Sequence, residues 1–208
     1  MSNRANLARI MSSGRVTLAA LILFCAGPAQ ATSILAISFE QLVGSSELAF
    51  EGRVLARRVV ADGPADMVHT HVTFQLVQVL KGRYTGSTIV LSFMGGTIGG
   101  VTTGIAGVTP PEAGEHGIYF IESLTRRMMD PRYGIDQGHF LIRQDAATRT
   151  ERVYSRSMQA IVGFVPNAKP SGMSNGIAWG LVTAEVPRFD RVMTTSAFAQ
   201  LVRDIARQ

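Results

Sequence analysis

Residues 68–76 read VHTHVTFQL, and this stretch decides the fold because its apolar and polar side chains alternate. The apolar positions are Val68, Val72, Phe74 and Leu76. Successive side chains of a strand point to opposite faces, so these residues share one side and the residues between them share the other. The period of two indicates a half-buried antiparallel strand. The strand is predicted to continue to Leu80, with a register shift near Val77.

Further strands separated by glycine and proline turns are predicted on both sides of this stretch. Residues 48–61 are rich in Val, Leu and Phe, and Gly52 within them predicts a bulge that bends the strand. Residues 163–178 carry little apolar periodicity and are predicted to be an exposed loop. The remaining predicted strands are 88–93, 117–124, 138–143 and 152–155.

A short helix is predicted near each end of the β-rich region. Ser38 and Gln41 have the spacing of a capping box, and the apolar residues between and after them predict a helix over 38–45. Ser196 is predicted to cap a second helix, whose apolar residues recur at i, i+3, i+4 and i+7 and are expected to dock on the sheet. This stripe consists of Phe198, Leu201, Val202 and Ile205.

These elements predict a mainly β fold. Five or six strands with a small helix at each end suit a small OB-like antiparallel β-barrel, in which a long first strand and a bulge glycine allow the sheet to close. A β-sandwich is the alternative. The length of 208 residues is compatible with one domain.

The first 31 residues have the features of a secretory signal peptide. Three arginines and no acidic residue precede the apolar run 16–26, which is followed by Ala29-Gln30-Ala31. Cleavage is predicted near Ala31, before Thr32, which leaves 32–208 as a single β-rich domain. An uncleaved membrane anchor would need an apolar run of about 20 residues. The protein is therefore predicted to be periplasmic or extracellular, without a transmembrane segment in the mature chain.

Cleavage would change the charge of the chain. The full sequence has 20 basic and 15 acidic residues and a net charge of +5, whereas removal of three arginines leaves 17 basic residues and a charge of +2. A nearly neutral chain gives no electrostatic reason to expect nucleic-acid binding. The lone cysteine, Cys25, is also removed, which excludes thiolate catalysis and Cys-ligated metal sites from the mature chain.

His69 and His71 are the clearest candidates for residues with a chemical role. Residues two apart on a strand project from one face, so both imidazoles could bind one metal ion. Such a site needs a third ligand brought in by folding, for example His116, His139 or Glu115. The alternative is a solvated strand face with two polar side chains.

The glycines at 95, 96, 99 and 100 form the second candidate site. They lie in the glycine-rich segment 94–117, which is either flexible or folded tightly against the sheet. The segment lacks the Lys-Ser/Thr of a phosphate-binding loop. Gly95, Gly96, Gly99 and Gly100 are therefore predicted to contact a binding partner rather than a nucleotide.

Residues 172–176, Gly-Met-Ser-Asn-Gly, match the G-x-S-x-G pattern of serine hydrolases. A nucleophile elbow requires a strand before the serine and a helix after it, whereas Pro166 and Pro170 precede this serine and no histidine follows it. The segment is better explained as a glycine and serine loop. The sequence thus predicts no catalytic residues and no cofactor.

A series of short motifs resembles a group of exported bacterial proteins without an assigned activity. The series is more distantly similar to netrin-module and metalloproteinase-inhibitor barrels. The resemblance implies an OB-like barrel and export. Those inhibitors use an N-terminal cysteine to coordinate the zinc of their target, and the mature chain has no cysteine, so the inhibitory mechanism does not carry over. The motifs are Ser38-Phe39-x-x-Leu42-Val43, Gly52-x-Val54, Val79-Leu80-Lys81-Gly82, Gly95-Gly96, Gly114-Glu115 before Tyr119-Phe120, and Gln137-Gly138-x-Phe140.

Two functions from different classes follow from these observations. The first is an exported, non-catalytic module that binds a protein, peptide or glycan through the glycine-rich loop and the neighbouring strand face. The second is a metal-dependent hydrolase that uses His69 and His71. A third interpretation is an accessory subunit whose loops become ordered only in an assembly.

Overall fold

A computed structural model describes residues 34–62, 67–146, 148–185 and 189–208, which form ten strands and two α-helices. The predicted signal peptide lies outside the described residues. The helices are α1 (Phe39–Ser45) and α2 (Thr195–Ala206). The strands are β1 (Leu48–Asp62), β2 (Met67–Lys81), β3 (Thr88–Met94), β4 (Gly96–Ile98), β5 (Val101–Thr103), β6 (His116–Ile121), β7 (His139–Gln144), β8 (Glu151–Ser155), β9 (Ala160–Phe164) and β10 (Leu181–Ala184).

Strands β1 and β2 form a long antiparallel hairpin. Its pairing register shifts at three bulges. At the second point Glu51 pairs with Gln78 and Gly52 pairs with Leu76, so Val77 is the extra residue. The bulge predicted at Gly52 and the register shift predicted near Val77 are both confirmed. Glycine fits here because a Cβ on it would lie 3.0 Å from a carbonyl oxygen of β2.

Eight strands form one antiparallel sheet, in the order β10-β9-β8-β7-β6-β1-β2-β3. Strands β4 and β5 form a separate hairpin. The mainly β fold with a helix near each end is confirmed, but the closed OB-like barrel is wrong. Among the described residues, β3 does not pair with β10, and the sheet stays open. The last strands are too short to close it, since β10 has four residues and β8 meets β9 at the single pair Tyr154 and Ala160. An open sheet is compatible with the β-sandwich alternative.

Strand β6 is buried along its whole length because the sheet is covered on both faces. Its alternate residues enter two apolar cores. The helix-side core lies under α1 and α2 and contains Phe39, Leu42, Val43, Ile118, Phe120, Phe140, Phe198 and Val202. The far-side core lies on the opposite face of the sheet and contains Phe50, Val72, Phe74, Leu91, Phe93, Tyr119 and Ile121.

Both predicted helices are present and dock on the helix-side core. Ser38 caps α1, since its Oγ accepts a hydrogen bond from the Gln41 amide at 3.0 Å. The cap of α2 differs from the prediction: Thr194, not Ser196, accepts the hydrogen bond from the Ala197 amide, at 3.1 Å. The helix begins two residues earlier than predicted because the Thr194 hydroxyl can also accept this hydrogen bond.

The segment predicted as an exposed loop over 163–178 is partly structured. Its first two residues end β9, and Ile177 and Ala178 are buried. The Trp179 amide donates to the Ile37 carbonyl at 2.8 Å, which ties the loop to the segment before α1. Strand β10 follows immediately and was not predicted, because four residues are too few to show a period.

Candidate functional site

His69 and His71 lie on β2, opposite Met94 and Ser92 of β3. The pairing has no shift between them, so both side chains are on one face, as predicted. His69 is buried and its Nδ1 lies 3.1 Å from the Met67 carbonyl oxygen. The three proposed additional ligands belong to two other clusters, described below. Metal binding by the pair stays a prediction.

The four glycines of the second candidate site have two different roles. Gly95 and Gly96 hold the β4–β5 hairpin against β1 and β2, where a Cβ at position 96 would lie 2.5 Å from the side chain of Val59. Gly99 and Gly100 form its two-residue turn, with φ of 58° and 81°. Positive φ at both positions is typical of a type I′ turn, which matches the twist of the strands. Binding by these glycines stays a prediction.

Ser174 of the G-x-S-x-G segment lies in the loop between β9 and β10. Its Oγ accepts a hydrogen bond from the Gly176 amide at 2.9 Å. The hydroxyl therefore stabilises its own turn, as serine commonly does in loops. Neither the strand nor the helix of a nucleophile elbow adjoins it in the described residues.

The first cluster of chemical interest is Glu51, His116 and Glu151, on the helix-side face. Each offers a metal-ligating atom, and these atoms lie within 4.8 Å of one another. No other such group of three occurs in the described ranges. His116 Nε2 lies 2.8 Å from Glu51 Oε1, and His116 Nδ1 lies 3.4 Å from Glu151 Oε1. Glu51 and His116 are buried, whereas the side chain of Glu151 is 34% exposed.

Strand pairing brings this cluster together from three strands. His116 begins β6 and pairs with Arg53 of β1, and Glu51 lies two residues earlier on the same face. Burial alone would raise the pKa of Glu51, but hydrogen bonds from His116 and Gln78 and the charge of Arg53 hold it below its usual value. Glu51 is thus an ionised carboxylate in a buried position.

The second cluster lies on the far-side face and is centred on Arg132, which is fully buried. Its guanidinium donates to both carboxylate oxygens of Asp130, at 2.9 and 2.6 Å, and to the Thr109 carbonyl at 3.2 Å. It also donates to His139 Nδ1 at 2.7 Å. His139 Nε2 in turn lies 2.7 Å from Glu115 Oε1.

Arg132 fixes the tautomer of His139. Because a guanidinium only donates, Nδ1 must accept and Nε2 must carry the proton that is donated to Glu115. Burial lowers the pKa of His139, and the charges of Arg132 and Arg156 lower it as well, against the raising effect of Glu115. Burial and the same carboxylate raise the pKa of Tyr119 well above its usual value, and its hydroxyl donates to Glu115 at 3.0 Å. His139 is therefore a neutral, structural imidazole.

The neutral state of His139 predicts a loss of stability in acid. The folded chain disfavours the protonated ring of His139. The contribution of the neutral ring to the free energy of unfolding is therefore complete above the unfolded-state pKa of about 6.5 and is lost as the pH falls below that value. We expect the free energy of unfolding by urea to decrease from pH 7.5 to 5.5, by at most about 1.4 kcal/mol per pH unit from this group.

The variant His139→Gln isolates that contribution. Glutamine can accept from Arg132 and donate to Glu115 without titrating, so the decrease between pH 7.5 and 5.5 is expected to be smaller. Val153→Ala is the control, because it destabilises the core and removes no titrating group. Equal slopes for wild type and His139→Gln would contradict the assignment.

Sequence reasoning offered His116, His139 and Glu115 as examples of a third metal ligand beside His69 and His71, and the structure brings them to other partners. It missed Glu51, Glu151 and Arg132. Glu51 lies 65 residues from His116, and only the pairing of β1 with β6 joins them. The available signal was the placement of Glu115 and His116 directly before an apolar strand.

Comparison with protein-family models, with curated proteins and with solved structures found no match for the chain. None of the described helices is long and apolar enough to cross a membrane. Functional inference therefore rests on the geometry of the molecule itself.

Proposed function

We propose that the protein is an exported, non-catalytic module that binds a protein partner through the tip of the β4–β5 hairpin. The observation that carries this proposal is a pair of apolar side chains at the tip. Ile98 and Val101 pair directly across the hairpin, so they share a face, and they are 40% and 69% exposed. Neither side chain contributes to the two cores.

The surroundings of the tip favour an apolar partner surface. Residues 84–111, which include edge strand β3 and the whole hairpin, contain no charged residue. Natural edge strands are usually protected by charges or proline, and β3 instead exposes Val90. Exposed apolar groups without charges favour recognition by shape and burial over recognition by charge. A nucleic acid would require cationic groups, and the hairpin itself, residues 96–103, has none.

Export is supported by the charge, apolar run and small residues of 1–31. The protein recovered from the cell that makes it is expected to begin at Thr32 in N-terminal sequencing. Retention of the first 31 residues would contradict this part of the proposal. A metal-dependent hydrolase that uses His69 and His71 stays an alternative prediction, and the zinc titration described below tests it.

Site-specific photo-crosslinking tests the binding surface. A crosslinking amino acid at position 98 is expected to give a discrete protein adduct in the producing cell, and Val101→Asp is expected to suppress it. Both positions are exposed, so stability should change by less than about 0.5 kcal/mol.

Position 158 is the matched control. Met158 is also exposed, at 50%, but lies in the turn between β8 and β9. The same adducts from positions 98 and 158, or no adduct from position 98, would contradict the proposal. An adduct to a glycan would mean that the partner is a glycan and not a protein.

A further inference from the structure

We propose that His116 and Glu151 bind a divalent transition-metal ion, with Zn²⁺ as the first candidate, and that Glu51 positions the imidazole. This metal site is independent of the hairpin tip. Glu151 also lines a cleft, and water or an oxygen donor of a ligand would complete the coordination.

The spacing of the ligand atoms suits a metal on the Nδ1 side of His116. Zn²⁺ binds nitrogen and oxygen at about 2.0–2.2 Å in tetrahedral geometry, which places two ligand atoms about 3.3–3.5 Å apart. His116 Nδ1 and Glu151 Oε1 are 3.4 Å apart. The Nε2 side is different, because its 2.8 Å distance to Glu51 is that of a hydrogen bond.

Glu51 completes a carboxylate–histidine–metal arrangement. In such sites the ring nitrogen that does not bind the metal donates to a carboxylate, which fixes the ring and raises its basicity. Glu51 is itself held in place, since its Oε2 accepts a hydrogen bond from Gln78 Nε2 at 2.6 Å. Gln78 in turn accepts one from Arg203 of α2. The support of the imidazole therefore extends to the helix.

A second observation points to a ligand in the cleft beside Glu151. Glu151 lines a cleft of about 330 Å³ together with Gln144, Arg149, Thr150 and the first residues of α2. Thr195 also lines this cleft and is only 7% exposed. Its Oγ1 has no hydrogen-bond partner within the described part of the chain. A buried hydroxyl without a partner is costly, and a bound ligand or metal-bound water would satisfy it.

The neighbouring strand β7 provides an internal contrast. His139 on the far-side face also meets a glutamate, but its second nitrogen accepts from Arg132 and is closed to a metal. The second nitrogen of His116 faces a carboxylate instead. Arg53 is the competing cation at this site, because its Nη2 lies 3.3 Å from Glu151 Oε1. A bound metal ion would replace Arg53 as the cation beside Glu151.

Titration of the metal-stripped, full-length protein with Zn²⁺ tests the site by calorimetry. We expect one Zn²⁺ per chain, and loss of binding in both His116→Ala and Glu151→Gln. Glu51→Gln is expected to weaken binding by about 10–100-fold, as for other residues that orient a metal ligand. Arg53→Gln is expected to tighten binding by up to about fivefold, since a competing surface ion pair is removed.

Two controls separate this site from its alternatives. Arg57→Gln removes a cation of β1 that pairs with Glu112, and it should leave zinc affinity unchanged. The double variant His69→Ala/His71→Ala should also bind normally. In nitrogen-15 spectra, Zn²⁺ is expected to shift Nδ1 of His116 in wild type, and a merely structural role of the ring would give no such shift.

Absence of binding by the folded wild-type chain at millimolar Zn²⁺ would overturn the proposal. Binding that is lost in His69→Ala/His71→Ala and kept in Glu151→Gln would also overturn it and would support the hydrolase alternative. Glu151 is partly exposed, so Glu151→Gln remains informative if His116→Ala does not fold. Circular dichroism verifies the fold of each variant.

Discussion

Replacement of Arg132 by methionine will lower the free energy of unfolding by about 3–5 kcal/mol, as expected when one partner of a buried ion pair is removed. Asp130 is only 5% exposed and would lose its counterion. The Thr109 carbonyl and His139 Nδ1 would also lose a donor. Urea unfolding followed by circular dichroism measures the change.

The matched control is Arg126→Met. Arg126 also pairs with a carboxylate, Glu122, but its side chain is 65% exposed. We expect a change within about 1 kcal/mol, because surface ion pairs contribute little. If Arg132→Met were as mild as Arg126→Met, the far-side network would not be a source of stability.

The variant Phe39→Ala is expected to cost about 3–5 kcal/mol, the usual range for a fully buried phenylalanine. Phe39 is the first residue of α1, and its ring joins this helix to α2 and to the sheet. Its removal would leave a cavity at the centre of the helix-side core. The rings within 6.2 Å of it are Phe120, Phe140, Phe164 and Phe198.

Two further variants show whether the loss comes from the cavity. Phe39→Leu keeps most of the apolar volume and should cost clearly less than Phe39→Ala. Val165→Ala removes an apolar side chain that is 53% exposed and should change stability by less than about 0.5 kcal/mol. Similar losses for all three variants would mean that Phe39 is not the centre of this core.

The sequence was most informative where a local pattern matches a local structure. The alternation around Phe74, the bulge at Gly52 and the apolar stripe of α2 all depend on residues close in the chain. Closure of the sheet depends instead on how β3 and β10 lie at its two ends. The residues of β10 are too few to carry a signal, so the predicted barrel was wrong while the predicted strands were largely right.

The candidate site was harder to predict because its members are far apart in sequence. His116 was considered, but only as a partner of His69 and His71. Its neighbours Glu51 and Glu151 come from the first and eighth strands, and no spacing rule links them. The visible signs that buried partners were needed were Glu51 within the apolar start of β1 and the pair Glu115 and His116 before β6.

The side chains of Glu115 and His116 point to opposite faces of the sheet, and this has a consequence for folding. A slip of β6 by one residue against β1 would exchange the faces of both side chains. Glu115 would then meet the carboxylate of Glu51, and His139 Nε2 would lose its acceptor. The first change brings two like charges together in a buried setting, and the second leaves a buried donor without a partner. The two networks therefore favour the native strand register. A slipped sheet would be destabilised by electrostatic repulsion as well as by loss of apolar packing.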